Sequence, residues 1–156
     1  MEKTNVMRIL AQNKIEFNAY EYNPEETVGE NVAALVGKPS EITFKTLVTV
    51  ANTKINYVFV VPVDCSLDLK KAAKVVKVKS IEMIKQKDLL GLTGYIHGGC
   101  SPIGMKKKLH TVIHESANNY EKIVFSAGKR GYQVEVAPAD LIKLVNAETA
   151  DIIVDN

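Results

Sequence analysis

Residues 94–104, GYIHGGCSPIG, contain four glycines and one proline within eleven residues. Glycine lets the main chain approach a ligand closely and adopt backbone angles that other residues avoid. Pro102 fixes its own backbone and also restrains Ser101 before it. This segment therefore predicts a fixed loop, rather than a flexible linker, whose exposed N–H groups form a binding surface.

The size and composition of the chain are those of an ordinary globular protein. It has 156 residues, of which 46% are hydrophobic and 24% are charged. That length is enough for one buried core, so we expect a single domain over residues 1–156. We find neither a leader sequence nor an apolar run as long as the roughly 20 residues of a membrane helix. We expect a soluble, cytoplasmic protein that does not contact membranes.

The first part of the chain combines helix and strand patterns. Thr4 is placed to cap a first helix, and the alternation in residues 17–22, FNAYEY, predicts a strand. The T-x-x-E spacing of Thr27 and Glu30 predicts a capping box at the start of a second helix, which Gly37 ends.

Two hairpins are predicted from β-branched runs that short turns separate. The first joins residues 44–51 to residues 55–62, and the second turns at residues 128–131 within KIVFSAGKRGYQVEVAP. Helical patterns lie between the strands without regular alternation, and Pro138 opens a closing helix. The fold class is therefore α+β, with a mixed or mostly antiparallel sheet.

Cys100 is the obvious nucleophile to consider, with His97, His110 and His114 as bases. No acidic residue stands in a motif that would orient one of these histidines, so an ordinary structural role is favoured. The histidines and the two cysteines form no paired ligand motif, and we expect free thiols, no metal and no cofactor.

The remaining candidates for functional residues are lysines. Lys45 lies inside an apolar strand, where it must face either a pocket or solvent. One basic cluster directly follows the glycine-rich loop, and another occupies the tip of the second hairpin. They comprise Lys106, Lys107, Lys108, Lys129 and Arg130. These clusters are either solvated surface or the rim of one anion-binding pocket, if the fold brings them together.

Three motifs in this order resemble the YbaK/EbsC family of free-standing aminoacyl-tRNA deacylases. They are FKTLV around Lys45, GYIHGGCSPIGMKK, and SAGKRGYQVEV. The resemblance implies a mixed, mostly antiparallel sheet or partly closed barrel with helices packed around it. It also implies that Lys45 is catalytic. The implied substrate-binding residues are Tyr20, Thr46, Gly98, Gly99, Cys100, Ser101, Pro102, Gly104 and Ser126.

The same resemblance implies the reaction and the partners. Its cysteine-directed members remove cysteine from tRNA(Pro), with the substrate thiol attacking its own ester. We expect the two basic clusters to meet the acceptor end of the tRNA, prolyl-tRNA synthetase to be a partner, and DNA not to be one. Other members carry aspartate and an aromatic residue where this chain has Gln133 and Val28. The alternatives are removal of alanine or serine, or a binding module without catalysis.

Overall fold

The computed structural model of the chain describes residues 1–155. The helices are α1 (Asn5–Gln12), α2 (Gly29–Leu35), α3 (Leu69–Val75), α4 (Leu89–Thr93) and α5 (Pro138–Val145). The strands are β1 (Phe17–Glu21), β2 (Phe44–Ala51), β3 (Asn56–Pro62), β4 (Ile81–Met83), β5 (His110–His114), β6 (Ile123–Ser126), β7 (Tyr132–Val136) and β8 (Glu148–Ala150). Short 3₁₀ helices occur at Ser40–Ile42, Gln86–Asp88 and Glu115–Asn119.

The strands form two sheets. One is antiparallel, with the order β1-β7-β6, and the other is mixed, with the order β4-β2-β3-β5-β8. In the mixed sheet β5 is parallel to both of its neighbours, β3 and β8. Strand β2 is antiparallel to both of its neighbours, β3 and β4. A bridge between Thr43 and Val124 joins the two sheets. The mixed α+β class is confirmed, and the described residues form no closed barrel.

The central strand β3 is buried on both of its faces. Val58 and Val60 pack in a core that also contains Leu10 of α1 and Phe125 of β6. The alternate residues of β3 pack in a second cluster with α3. Because neither face reaches solvent, the strand reads in the sequence as a continuous apolar run rather than an alternating one.

Both predicted hairpins are confirmed, and so is the first helix. In the register of β2 and β3, Lys45 lies opposite Val61. In that of β6 and β7, Ser126 lies opposite Gln133. Thr4 caps α1 by accepting a hydrogen bond from the Met7 N–H at 3.3 Å.

The predicted capping box at Thr27 and Glu30 is wrong. Helix α2 begins at Gly29 after Val28, which makes no side-chain capping bond. The Val28 N–H instead donates to Glu26 Oε2 at 3.2 Å, and Thr27 is left in the wall of a pocket. Local spacing misled the prediction because tertiary packing uses Thr27 elsewhere.

Strand β8, which pairs with β5 through three residues, was not predicted. The single domain over residues 1–156 stays a prediction. Among the helices described, none has the length and the apolar character that crossing a bilayer requires.

Candidate active site

A pocket of about 180 Å³ lies where the start of β2 meets the segment around α2 and the glycine-rich loop. Its lining residues are Tyr22, Thr27, Gly29, Val32, Thr43, Phe44, Lys45, Thr46, Leu47, Val63, Leu89, His97, Gly98, Cys100, Ser126 and Gln133. Three separate sequence motifs thus contribute to one cavity, as is usual for small-ligand sites.

Lys45 faces this pocket from β2. Its strand neighbour Phe44 is buried in the core, so the strand holds the lysine backbone rigidly. Among the described residues, no carboxylate forms an ion pair with the Lys45 ammonium. The pocket therefore contains a positive charge that is available to an anionic or carbonyl group of a ligand.

Two residues that line the pocket each have a buried side-chain oxygen with no hydrogen-bond partner in the described part of the chain. The oxygens are Thr46 Oγ1 and Gln133 Oε1. Gln133 is only 6% exposed, and leaving a buried acceptor unpaired costs about 1–3 kcal/mol.

The glycine-rich loop is seated against the turn between β6 and β7. A Cβ atom on Gly99 would lie 3.0 Å from the Arg130 backbone N. Gly98 has a φ of 85°, a backbone angle that residues with a side chain rarely adopt. The Arg130 Nε donates to the His97 carbonyl at 2.7 Å. The loop is thus fixed by close backbone packing, which is the rigidity that its composition predicts.

Only part of the predicted loop surface faces the cavity. Gly98 and Cys100 line it. Ser101 is fully buried and its Oγ accepts from the Ile103 N–H at 3.3 Å. A Cβ on Gly104 would lie 2.9 Å from Ile9 Cδ1. Gly99, Ser101, Pro102 and Gly104 are not among the lining residues.

Residues 23–144 match the family described as the aminoacyl-tRNA editing domain. The chain belongs to this family. A protein of Enterococcus faecalis named "Putative Cys-tRNA(Pro)/Cys-tRNA(Cys) deacylase EbsC" is 46% identical over 153 residues, which are 97% of this chain and 93% of that protein.

Solved structures of low sequence identity share the fold. One is described as "a putative trans-editing enzyme for prolyl tRNA synthetase"; it is 22% identical, has a TM-score of 0.84, and the match covers 99% of this chain and 100% of that one. A hypothetical protein is 20% identical with a TM-score of 0.88, over 97% of this chain and 100% of its own.

The editing-domain pocket contains one thiol, that of Cys100. Burial raises the pKa of this thiol to about 12, and a hydrogen bond with Thr93 offsets only part of the rise. The group is therefore protonated at neutral pH and a poor nucleophile.

The histidines do not activate the Cys100 thiol. His110 contacts Glu148, with Nε2 and Oε2 2.6 Å apart, and the Nδ1 of His114 accepts from the Ile152 N–H at 3.3 Å. His97 lines the pocket, but no acidic side chain of the described residues pairs with it. The arrangement lacks a nucleophile, base and orienting acid in hydrogen-bond contact within residues 1–155.

The two basic clusters do not line the pocket together. The Lys129 ammonium is 2.8 Å from both carboxylate oxygens of Glu2, and Arg130 bonds to the loop. Lys107 lies in a separate open groove beside β4 and α4. That groove also contains Lys54, Lys85 and Lys87.

Sequence reasoning missed the segment around α2 as a wall of the pocket. Tyr22, Thr27, Gly29 and Val32 all line the cavity, yet this stretch has no unusual composition. Tyr20 was expected in the pocket and is not among its lining residues.

Proposed function

We propose that this chain is a trans-editing deacylase that removes cysteine from mischarged tRNA(Pro). The observation that carries the proposal is the unpaired Lys45 ammonium in one small cavity with the glycine-rich loop and two unpartnered acceptors. The name of the Enterococcus faecalis relative supports the same substrate.

The reaction needs little from the protein beyond positioning. In Cys-tRNA the substrate sulfur attacks its own ester carbonyl, so that a carbon–sulfur bond forms and the ester carbon–oxygen bond breaks. The thiol proton passes through water to the leaving ribose oxygen, and a cyclic thiolactone departs. Holding the thiol and the carbonyl in attacking geometry supplies much of the rate. A protonated Cys100 is consistent with an attacking atom that the substrate brings.

Lys45 is proposed to stabilise the negative charge that develops on the carbonyl oxygen or to fix the terminal adenosine. The Gly99 N–H already donates to the Ile96 carbonyl at 3.0 Å. Gly98 and Cys100, which line the pocket, are therefore the proposed backbone donors to the oxyanion. Thr46 and Gln133 are proposed to accept from donors of the aminoacyl ribose, such as the ammonium group or a hydroxyl.

The groove lined by Lys54, Lys85, Lys87 and Lys107 is the proposed path of the RNA. It adjoins the pocket at α4, because Leu89 lines the pocket and Leu92, one turn along the same helix, lines the groove. No ion pair involves these four ammonium groups within residues 1–155, so they are available to backbone phosphates.

Lys129 of the second basic cluster is already paired with Glu2. We propose that Lys129 and Arg130 contribute less to RNA binding than the groove does. Because phosphate contacts discriminate poorly between tRNAs, transient association with prolyl-tRNA synthetase is proposed to supply the remaining selectivity.

The decisive experiment compares Cys-tRNA(Pro), Ser-tRNA(Pro), Ala-tRNA(Pro) and Pro-tRNA(Pro) as substrates for the purified chain and for Lys45→Ala. We expect turnover of the cysteinyl substrate alone, by the unchanged chain and not by Lys45→Ala. Lys74→Ala on α3 removes an equal charge outside the pocket and should keep full activity. Turnover of the seryl or alanyl ester at an equal rate would exclude thiol assistance. Binding without turnover would instead identify a sensor.

A further inference from the structure

Tyr20 belongs to a polar cluster behind the pocket, centred on the carboxylate of Glu135. Asn18 Nδ2 and the Tyr20 hydroxyl donate to Glu135 Oε1 at 3.0 and 2.9 Å. The Lys38 ammonium lies 3.0 Å from Glu135 Oε2 and 5.0 Å from the centre of the Tyr20 ring. Glu135 is only 7% exposed, and both of its carboxylate oxygens are thus satisfied.

The electrostatics agree with this geometry. Burial by itself would raise the pKa of Glu135, but hydrogen bonds from Asn18, Lys38 and Tyr20 outweigh it and lower that pKa below its ordinary value. The pKa of Lys38 is raised, chiefly by its hydrogen bonds with Tyr20 and Glu135. The cluster is therefore a charged pair in which each partner depends on the other.

Lys38 stands at the end of α2, where the chain turns back. Gly37 has a φ of 72°, and the Lys38 N–H donates to the Ala33 carbonyl at 2.9 Å. The Lys38 side chain thus connects the C-terminal end of α2 to β7.

Helix α2 has little else to hold it. It has seven residues and no side-chain N-cap, and only Val32 and Ala33 are buried in it. A helix of this length is unstable by itself and depends on tertiary contacts. Yet α2 and the residues before it provide one wall of the pocket, through Thr27, Gly29 and Val32.

The other end of the cluster reaches the pocket through β7. Glu135 follows Gln133 on the same strand face, because side chains alternate along a strand. In the register of β1 and β7, Tyr20 lies opposite Gln133 and Asn18 opposite Glu135. The cluster thus lies between Gln133, which lines the pocket, and helix α2, which forms one wall of it.

We propose that Lys38, Glu135 and Tyr20 are positioning residues that hold α2 against the antiparallel sheet and so set the width of the pocket. Tyr20 acts through Glu135 and does not touch the substrate. This inference rests on the proposed function for its consequence in catalysis, whereas the restraint on α2 stands without it.

The test uses Lys38→Met, which keeps an apolar stem and removes the ammonium group, with Lys38→Arg as the conservative rescue. Hydrogen exchange should be about tenfold faster or more at residues 29–35 in Lys38→Met, with β3 amides unchanged. Affinity for the uncleavable analogue 3′-deoxy-3′-(cysteinylamino)adenosine should fall by a similar factor of about ten. Lys38→Arg should restore both. Unchanged exchange in α2 would overturn the proposal.

A double-mutant cycle separates positioning from substrate contact. Tyr20→Phe should weaken analogue binding and speed exchange in α2 together. Added to Lys38→Met, it should have little further effect on binding, because both act through Glu135. A full additional loss of affinity, or a loss without faster exchange, would mean that Tyr20 contacts the ligand.

The outcomes also separate this inference from the proposed function. If the unchanged chain does not cleave Cys-tRNA(Pro), the function fails while the exchange experiment still tests the restraint. If Lys38→Met does not fold, Tyr20→Phe alone carries the same comparison, because it removes only the hydroxyl and leaves the Lys38–Glu135 ion pair in place.

Discussion

The seating of the glycine-rich loop can be tested at Gly99. A Cβ atom there would lie 3.0 Å from the Arg130 N, and 3.3 and 3.4 Å from the Lys129 C and Cα atoms. All three are backbone atoms of the turn between β6 and β7, so no flexible side chain can move aside. Gly99 is not among the glycines with positive φ, and Gly99→Ala therefore tests the contact alone.

The expected effect follows from these distances. Ordinary van der Waals contact begins at 3.4 Å, so the loop must move away from the turn by several tenths of an ångström. Inserting one methyl group into a packed contact costs about 1–3 kcal/mol. Because a site tolerates displacements of only about 0.5 Å, and Gly98 and Cys100 flank the substitution, kcat/KM should fall about tenfold or more.

The assay is urea unfolding followed by circular dichroism, together with deacylation of Cys-tRNA(Pro). Gly91→Ala is the matched control for stability, since a Cβ atom on Gly91 in α4 meets nothing within 4 Å. Alanine in a helix should raise stability there by about 0.5–1 kcal/mol. A Gly99→Ala protein as stable and as active as the unchanged chain would refute the close seating of the loop.

Two further predictions concern the thiol and the RNA path. Cys100→Ser should keep most of the deacylase activity, and its loss in a folded variant would mean that Cys100 is the nucleophile after all. In the unchanged chain, iodoacetamide at about pH 8 should label Cys100 more slowly than the less buried Cys65, because a pKa near 12 leaves almost no thiolate at Cys100. Lys85→Glu should lower kcat/KM for Cys-tRNA(Pro) and reduce the salt dependence of that constant, with no change for cysteinyl-adenosine. The control Lys74→Glu on α3 should change neither kcat/KM nor its salt dependence. Equal effects of the two variants would reject the groove as the path of the RNA.

The sequence determined the hairpins and the rigid loop. Short turns between β-branched runs leave antiparallel pairing as the simplest structure, and the structure has β2 with β3 and β6 with β7. These features depend on residues close together in the chain. The α+β class followed from the same local patterns, whereas the family was indicated by the resemblance of three sequence motifs.

Only the tertiary structure decided which distant side chains meet. Tyr20 and Glu135 are 115 positions apart, yet they hydrogen-bond because β1 pairs with β7. Likewise, Lys129 is paired with Glu2 across 127 positions, and Thr27 faces the pocket instead of capping α2. Local spacing specifies which element a residue joins, but the partner of a side chain depends on which elements pack together.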